Sequence, residues 1–137
     1  MKIGMVGSLK FIDEFKATYN ALIAEGHEVY VLKEIEAILK DEADVEEYKS
    51  KVQEHYLLDF WKLIQDADAL IVLNYDKQGT KNYVGGSTLI GMSFAHVLGQ
   101  TIYMMNPLPM TQSYFDEILH MKPVVLNGDL SAIPKAK

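Results

Sequence analysis

The chain has no cysteine, and all 13 of its basic residues are lysine, so arginine is missing as well. Without cysteine there is no disulfide framework, no thiolate zinc site, no iron–sulfur cluster and no cysteine nucleophile, a composition that fits a reducing compartment. Without arginine there is no bidentate guanidinium clamp, and any anion must be held by lysine, hydroxyls or backbone N–H groups. Apolar runs fall short of the roughly 18–20 residues needed to span a bilayer, and Met1 to Gly7 lacks the long apolar stretch of a signal peptide. The expectation is a soluble cytoplasmic protein. Thirteen basic residues against 19 acidic ones give a net charge of −6, which argues against a nucleic acid or an anionic membrane as partner. His27, His55, His96 and His120 form no i, i+4 pair and no HExxH pattern, so neither a metal site nor a histidine triad is expected, and no cofactor is implied.

What is present is a chain of 137 residues, 49% hydrophobic, enough for one domain over residues 1–137 that buries roughly two-thirds of its unfolded surface. Strand and helix patterns alternate along it. Lys2 to Gly7 is a short apolar run closed by glycine. Phe11 to Glu25 carries apolar residues at three- and four-residue spacing, the period of an amphipathic helix ending at Gly26. Glu28 to Leu32 reads as a strand. From Glu34 to Glu54 eight acids face three lysines, so −5 of the net charge sits there. An acidic excursion over about 33–50 is expected, either a solvated helix face or a mobile segment. Tyr48 to Gln65 has helical spacing, with Val52, Tyr56, Phe60 and Leu63 on one stripe.

Asp68 to Asn74 is an unbroken apolar run between polar ends, the pattern of a central parallel strand covered on both faces. Gly85-Gly86-Ser87-Thr88 opens a helix to about Leu98 that is apolar on nearly every side and so predicted to be buried. Thr101 to Met105 and Pro123 to Leu126 read as strands, with a short helix over Gln112 to His120 between them. Five strands alternating with helices predict a doubly wound, five-stranded parallel sheet, flavodoxin- or Rossmann-like, in the order 2-1-3-4-5. Such sheets bind ligands beyond the carboxyl ends of the strands where the order reverses, here strands one and three. That rule points to Gly7-Ser8-Leu9-Lys10 and Asn74-Tyr75-Asp76.

Several residues there carry usable chemistry, each with a plainer alternative. Gly7 and Ser8 turn into a helix whose N–H groups could hold an anion with Lys10 as point charge, or Ser8 simply caps that helix. Gly85, Gly86 and Ser87 could cradle a phosphate or a sugar, although the spacing is neither a Walker loop nor a dinucleotide fingerprint. Asn74, Asn106 and Asn127 end strands and offer amides; Asp76, Asp116, Glu117 and Asp129 offer carboxylates that could stabilise a sugar cation or act as nucleophile. Tyr75 and Tyr83 could stack on a base or merely cover the core. Gly91 is the odd residue: a glycine inside a helix costs about 1 kcal/mol relative to alanine, so close packing or a ligand is expected at that turn.

With these residues in view, the chain resembles the nucleoside 2-deoxyribosyltransferase-like family, in a small bacterial and archaeal subgroup. The resemblance runs through Lys2 to Phe11, Gly26-His27-Glu28-Val29, Val72 to Lys77, Asn82 to Thr88, Phe94-Ala95-His96, Asn106-Pro107 and Val125 to Leu130. It covers nearly the whole chain outside the acidic segment. It implies a doubly wound fold, a homodimer or higher homo-oligomer, a nucleoside or nucleotide as small-molecule partner, and cleavage of the bond between base and deoxyribose by transfer or by hydrolysis. It further implies that Gly7 and Ser8 line the pocket, that Asn74 or Asp76 lies where an acid assists at the base, that Gly86 and Ser87 approach sugar or phosphate, and that Asn127 is lent across a dimer. The departure is at Gly91, read as the position of the family's glutamate nucleophile. Three readings follow: a binding protein with little or no activity, an N-glycosidase using another carboxylate such as Asp76 or a water, and an interaction domain working through the acidic segment.

Overall fold

A computed structural model describes residues 1–46 and 56–135. Five parallel strands form one sheet in the order 2-1-3-4-5, as the alternation of periods predicted: β1 (Lys2–Gly7), β2 (Glu28–Tyr30), β3 (Ala69–Leu73), β4 (Thr101–Met104) and β5 (Val124–Val125). The helices are α1 (Ile12–Ala24), α2 (Lys33–Leu39), α3 (Tyr56–Gln65), α4 (Gly86–Val97) and α5 (Phe115–His120), with short 3-10 turns at Leu9–Phe11 and Leu130–Ala132. Strand β3 is central because every one of its residues is buried, which only a strand covered on both faces requires. It pairs in register with β1 from Ile3↔Ala69 to Gly7↔Leu73 and with β4 from Ala69↔Thr101 to Val72↔Met104.

Alternation along β1 assigns the helices to faces. Phe15 of α1 lies against Gly7, whereas Leu63 and Ala67, in and just after α3, lie against Gly4, so α1 and α3 cover opposite faces of the sheet. Phe15, Thr18 and Leu22 form the buried stripe of α1. Phe60 and Ile64 are the buried anchors of α3, and Trp61 meets Phe94 of α4 edge to face at 5.2 Å between ring centres.

The acid-rich segment starts in line with its helical reading, and one expectation needs amending. The acid-rich segment begins as a packed helix: Ile35, Ile38 and Leu39 of α2 are buried and its acids lie outside them. Apolar residues at three- and four-residue spacing outweigh the local charge. The remainder of that segment, and the start of the helix expected from Tyr48, fall partly outside the described residues. Helix α4 is less buried than its composition suggested. Thr88, Gly91, Met92 and Ala95 face inward, while Val97 is 79% exposed and Ile90 and Leu98 are exposed too. No helix among the described residues is long and apolar enough to cross a membrane.

Candidate functional site

Loops meet beyond the carboxyl ends of β1 and β3. At the first, a Cβ on Gly7 would stand 2.9 Å from the Leu73 carbonyl oxygen and 3.2 Å from Phe15 Cε2. Only glycine lets the two strand ends come this close. Ser8 then turns the chain, its Oγ accepting the Lys10 backbone N–H at 3.2 Å and capping the turn Leu9–Phe11. Lys10 is exposed, and it is its backbone that meets Ser8.

The second loop starts at Asn74, which is wholly buried. Its amide nitrogen donates to the carbonyls of Asn106 and Pro107 at 3.0 Å each, its Oδ1 accepts the Asn106 N–H at 3.0 Å, and Asn106 Nδ2 donates back to the Asn74 carbonyl at 2.8 Å. These bonds lock the ends of β3 and β4 together. They use both amide hydrogens, so Asn74 acts here as a brace between strands. A carboxylate at 74 would place an acceptor against two carbonyls, which explains an amide at this position.

Beyond Asn74 the chain doubles back as a small hairpin. Tyr83 N donates to the Tyr75 carbonyl at 2.9 Å, and Lys77 and Thr80 exchange backbone hydrogen bonds at 2.9 Å each. Gln78 and Gly79 carry the positive φ values of 49° and 82° that a type I′ turn demands. Asp76 is exposed, and its Oδ1 accepts the Asn82 N–H at 3.0 Å, bracing the hairpin from outside.

This hairpin delivers a residue not singled out from sequence. Lys77 Nζ donates to Ser8 Oγ at 3.2 Å and stands 4.7 Å above the centre of the Tyr83 ring. The Tyr83 hydroxyl lies 3.3 Å from where a Gly85 Cβ would be. Ser8, Lys77, Tyr83 and Gly85 therefore form one chain of contacts, joining the turn after β1 to the glycine pair that opens α4. Among the described residues no carboxylate pairs with Lys77. Gly85 caps α4 without a side-chain hydrogen bond, and nothing lies within 4 Å of a Cβ placed on Gly86. The 12-residue helix thus starts, with its partial positive end, at the glycine pair that this chain of contacts reaches.

Two further residues hold this arrangement and had no signal in the sequence. Gln112 grips both backbone groups of Val84, accepting its N–H at 2.7 Å and donating to its carbonyl at 2.8 Å, and Tyr114 hydrogen-bonds the same carbonyl. Val84 is thereby fixed one residue before Gly85. The Tyr114 phenol is pushed above its ordinary range by burial, with Tyr83 adding to the effect and the Gln112 hydrogen bond opposing it.

The remaining candidates fall differently. Tyr75 meets Phe11 edge to face at 5.4 Å, and burial raises its phenol pKa, with the Glu14 charge adding and a hydrogen bond with Thr18 opposing. Tyr75 and Tyr83 each already have an intramolecular partner for the ring. Asn127 is exposed in a tight turn after β5, φ 50°, where Asp129 N donates to the Leu126 carbonyl at 3.0 Å. As β5 is the edge strand beyond β4, Asn127 does not join the contacts around Ser8.

Gly91 has the close packing expected of a glycine inside a helix. It is buried, and a Cβ there would meet Ile64 Cδ1 and Val6 Cγ1 at 3.6 Å each. A Cβ at 91 would enter the apolar layer between β1 and α3. The glycine is a packing residue, and a glutamate in its place would bury its charge.

No family model and no curated protein matches the chain. Among solved structures it is similar to a Clostridium botulinum CMP N-glycosidase, BcmB, with 14% identity over 91% of this chain and 85% of that chain and a TM-score of 0.49.

Proposed function

We propose that the chain is a single-domain nucleoside- or nucleotide-binding protein, with its ligand seated beyond β1 and β3, and that any activity it has is cleavage of an N-glycosidic bond. The observation that carries this reading is the contact chain from Ser8 through Lys77 and Tyr83 to Gly85. It gathers a lysine charge without a carboxylate partner among the described residues, a serine hydroxyl and the N-terminal end of α4, groups that can hold an anion in a protein without arginine. Gly7, Ser8, Gly86 and Ser87 line this place, Asn74 and Gln112 hold its walls, and Lys10 stands outside as a second cation.

Activity under this reading is low. A glycosidic bond yields to a nucleophile at the anomeric carbon or to a water steered by a carboxylate. Gly91 supplies no nucleophile, and Asp76 is the acid assigned to steering water. Exposed apolar residues at the end of α4, Val97 and Leu98, and at the start of α3, Leu57 and Leu58, support a homo-oligomer. Chromatographic release of free base from the four common deoxynucleosides and their 5′-phosphates tests the chemistry. Slow release that Asp76→Ala abolishes is expected from an active chain; release unchanged by that substitution removes Asp76 from the mechanism.

A further inference from the structure

We propose that Glu14 sets sugar specificity at this site, its carboxylate accepting a hydrogen bond from a ring hydroxyl of the bound nucleoside. The assignment rests on the nucleoside reading above and names the part of the ligand that the reading leaves unmatched. Glu14 stands in the first turn of α1, directly before Phe15, which packs against Gly7 at the end of β1. Its Oε2 is shut off from solvent and has no hydrogen-bond partner. Among the described residues the other such orphans are on His27 and Gln100, and Glu14 is the one acid. Its neighbour is Tyr75, the residue that follows Asn74 out of β3, whose phenol feels the Glu14 charge and hydrogen-bonds Thr18 one turn further along α1. The carboxylate is thus set between the α1 side of the sheet and the second loop of the site.

An ionised carboxylate can only accept, so whatever completes Glu14 must donate. Leaving a buried acceptor unmet is costly, and natural folds tolerate it where a ligand, ion or water supplies the missing donor. Among the described residues no three acids or histidines gather to hold a metal ion. The donors that a nucleoside brings are its sugar hydroxyls and, on the bases, exocyclic amines and ring N–H groups. Acidic residues at the carboxyl edge of doubly wound sheets accept from ribose hydroxyls, and Glu14 occupies that edge.

Titration calorimetry on the full chain tests this, with the four ribonucleoside 5′-monophosphates and their 2′-deoxy and 3′-deoxy counterparts. Loss of one hydroxyl is expected to weaken binding about tenfold, as for one lost charge-assisted hydrogen bond, and which deoxy series suffers identifies the hydroxyl. Glu14→Gln is expected to erase that difference without lowering the melting temperature, because the buried Oε2 has no hydrogen-bond partner to lose in the free protein. A merely structural glutamate would lower the melting temperature and leave the sugar preference intact. Should Glu14→Gln fail to fold, Glu14→Asp, which withdraws the carboxylate by one methylene, must show the same loss of preference. Equal affinity for all sugars, a preference that survives both substitutions, or one that follows the base amine overturns the assignment while leaving the nucleoside reading standing. Absence of binding across the whole panel overturns both.

Discussion

Replacing Gly91 discriminates between a catalytic vacancy and a packing site. A Cβ at this position meets Ile64 Cδ1 and Val6 Cγ1 at 3.6 Å, an ordinary contact distance, so alanine fits without displacing either neighbour. Alanine also relieves the helix of its least favourable interior residue apart from proline, worth about 1 kcal/mol. Gly91→Ala should therefore stabilise the protein by about 1 kcal/mol, a rise in Tm of roughly 3–4 °C for a chain of this length. Gly91→Glu should do the opposite. Val6 is 1% exposed and Ile64 wholly buried, so the carboxylate either stays charged in an apolar layer or forces α3 and α4 apart, at a cost of several kcal/mol. Calorimetric melting of the three proteins reads both effects. Destabilisation by alanine of more than about 1 kcal/mol, or a glutamate variant as stable as the natural chain, would refute the placement of position 91 against β1 and α3. Base release gained by a folded Gly91→Glu variant would refute it equally.

Other outcomes follow from the site. Asn74→Ala should cost roughly 2–4 kcal/mol by removing the hydrogen bonds that tie buried Asn74 to Asn106 and Pro107, and Asn74→Asp should not rescue it, since it turns an acceptor toward two carbonyls; urea unfolding curves measure both. Lys77→Gln should weaken binding of a nucleoside 5′-phosphate about tenfold or more, while leaving the free nucleoside within about twofold, as expected for one charge-assisted bond to phosphate; calorimetry at two salt concentrations checks it. Tyr75, Tyr103 and Tyr114 all have phenols raised above the ordinary value of 10.0 by burial. The unfolded chain therefore loses these protons first, and stability should fall as pH climbs from about 10 through the higher folded values. Phenolate absorbance against pH, with these three replaced singly by phenylalanine, identifies the late-titrating groups.

The sheet was legible in the sequence because each strand carries its burial with it. Ala69 to Leu73 is apolar at every position, and changes from strand to helical period separate it from its neighbours; with right-handed crossovers that leaves few orders, and the observed one is among them. Edges were less legible, and β5 shrinks to Val124–Val125 where four residues had strand character. At the candidate site, the sequence pointed to the ends of β1 and β3 but not to what their side chains do. A strand-end asparagine looks like a free amide until the turn at Asn106-Pro107 closes over it. Lys77 lies 69 residues from Ser8, and only the turn at Gln78-Gly79 brings its ammonium back to β1. The direction of position 91 was within reach, since Thr88, Gly91, Met92 and Ala95 share one helical stripe, but the apolar residues on the other side of α4 obscured it.

The account stands or falls on where a nucleotide sits. Amide chemical shifts of the labelled protein, followed as a deoxynucleoside 5′-monophosphate is added, test this directly. Saturable shifts at Gly7, Ser8, Lys77, Tyr83 and Gly85 to Ser87 are the expected result, with Asn127 and the helix ends opposite the site unmoved. Shifts gathered elsewhere, or none with any of the four bases, would contradict it.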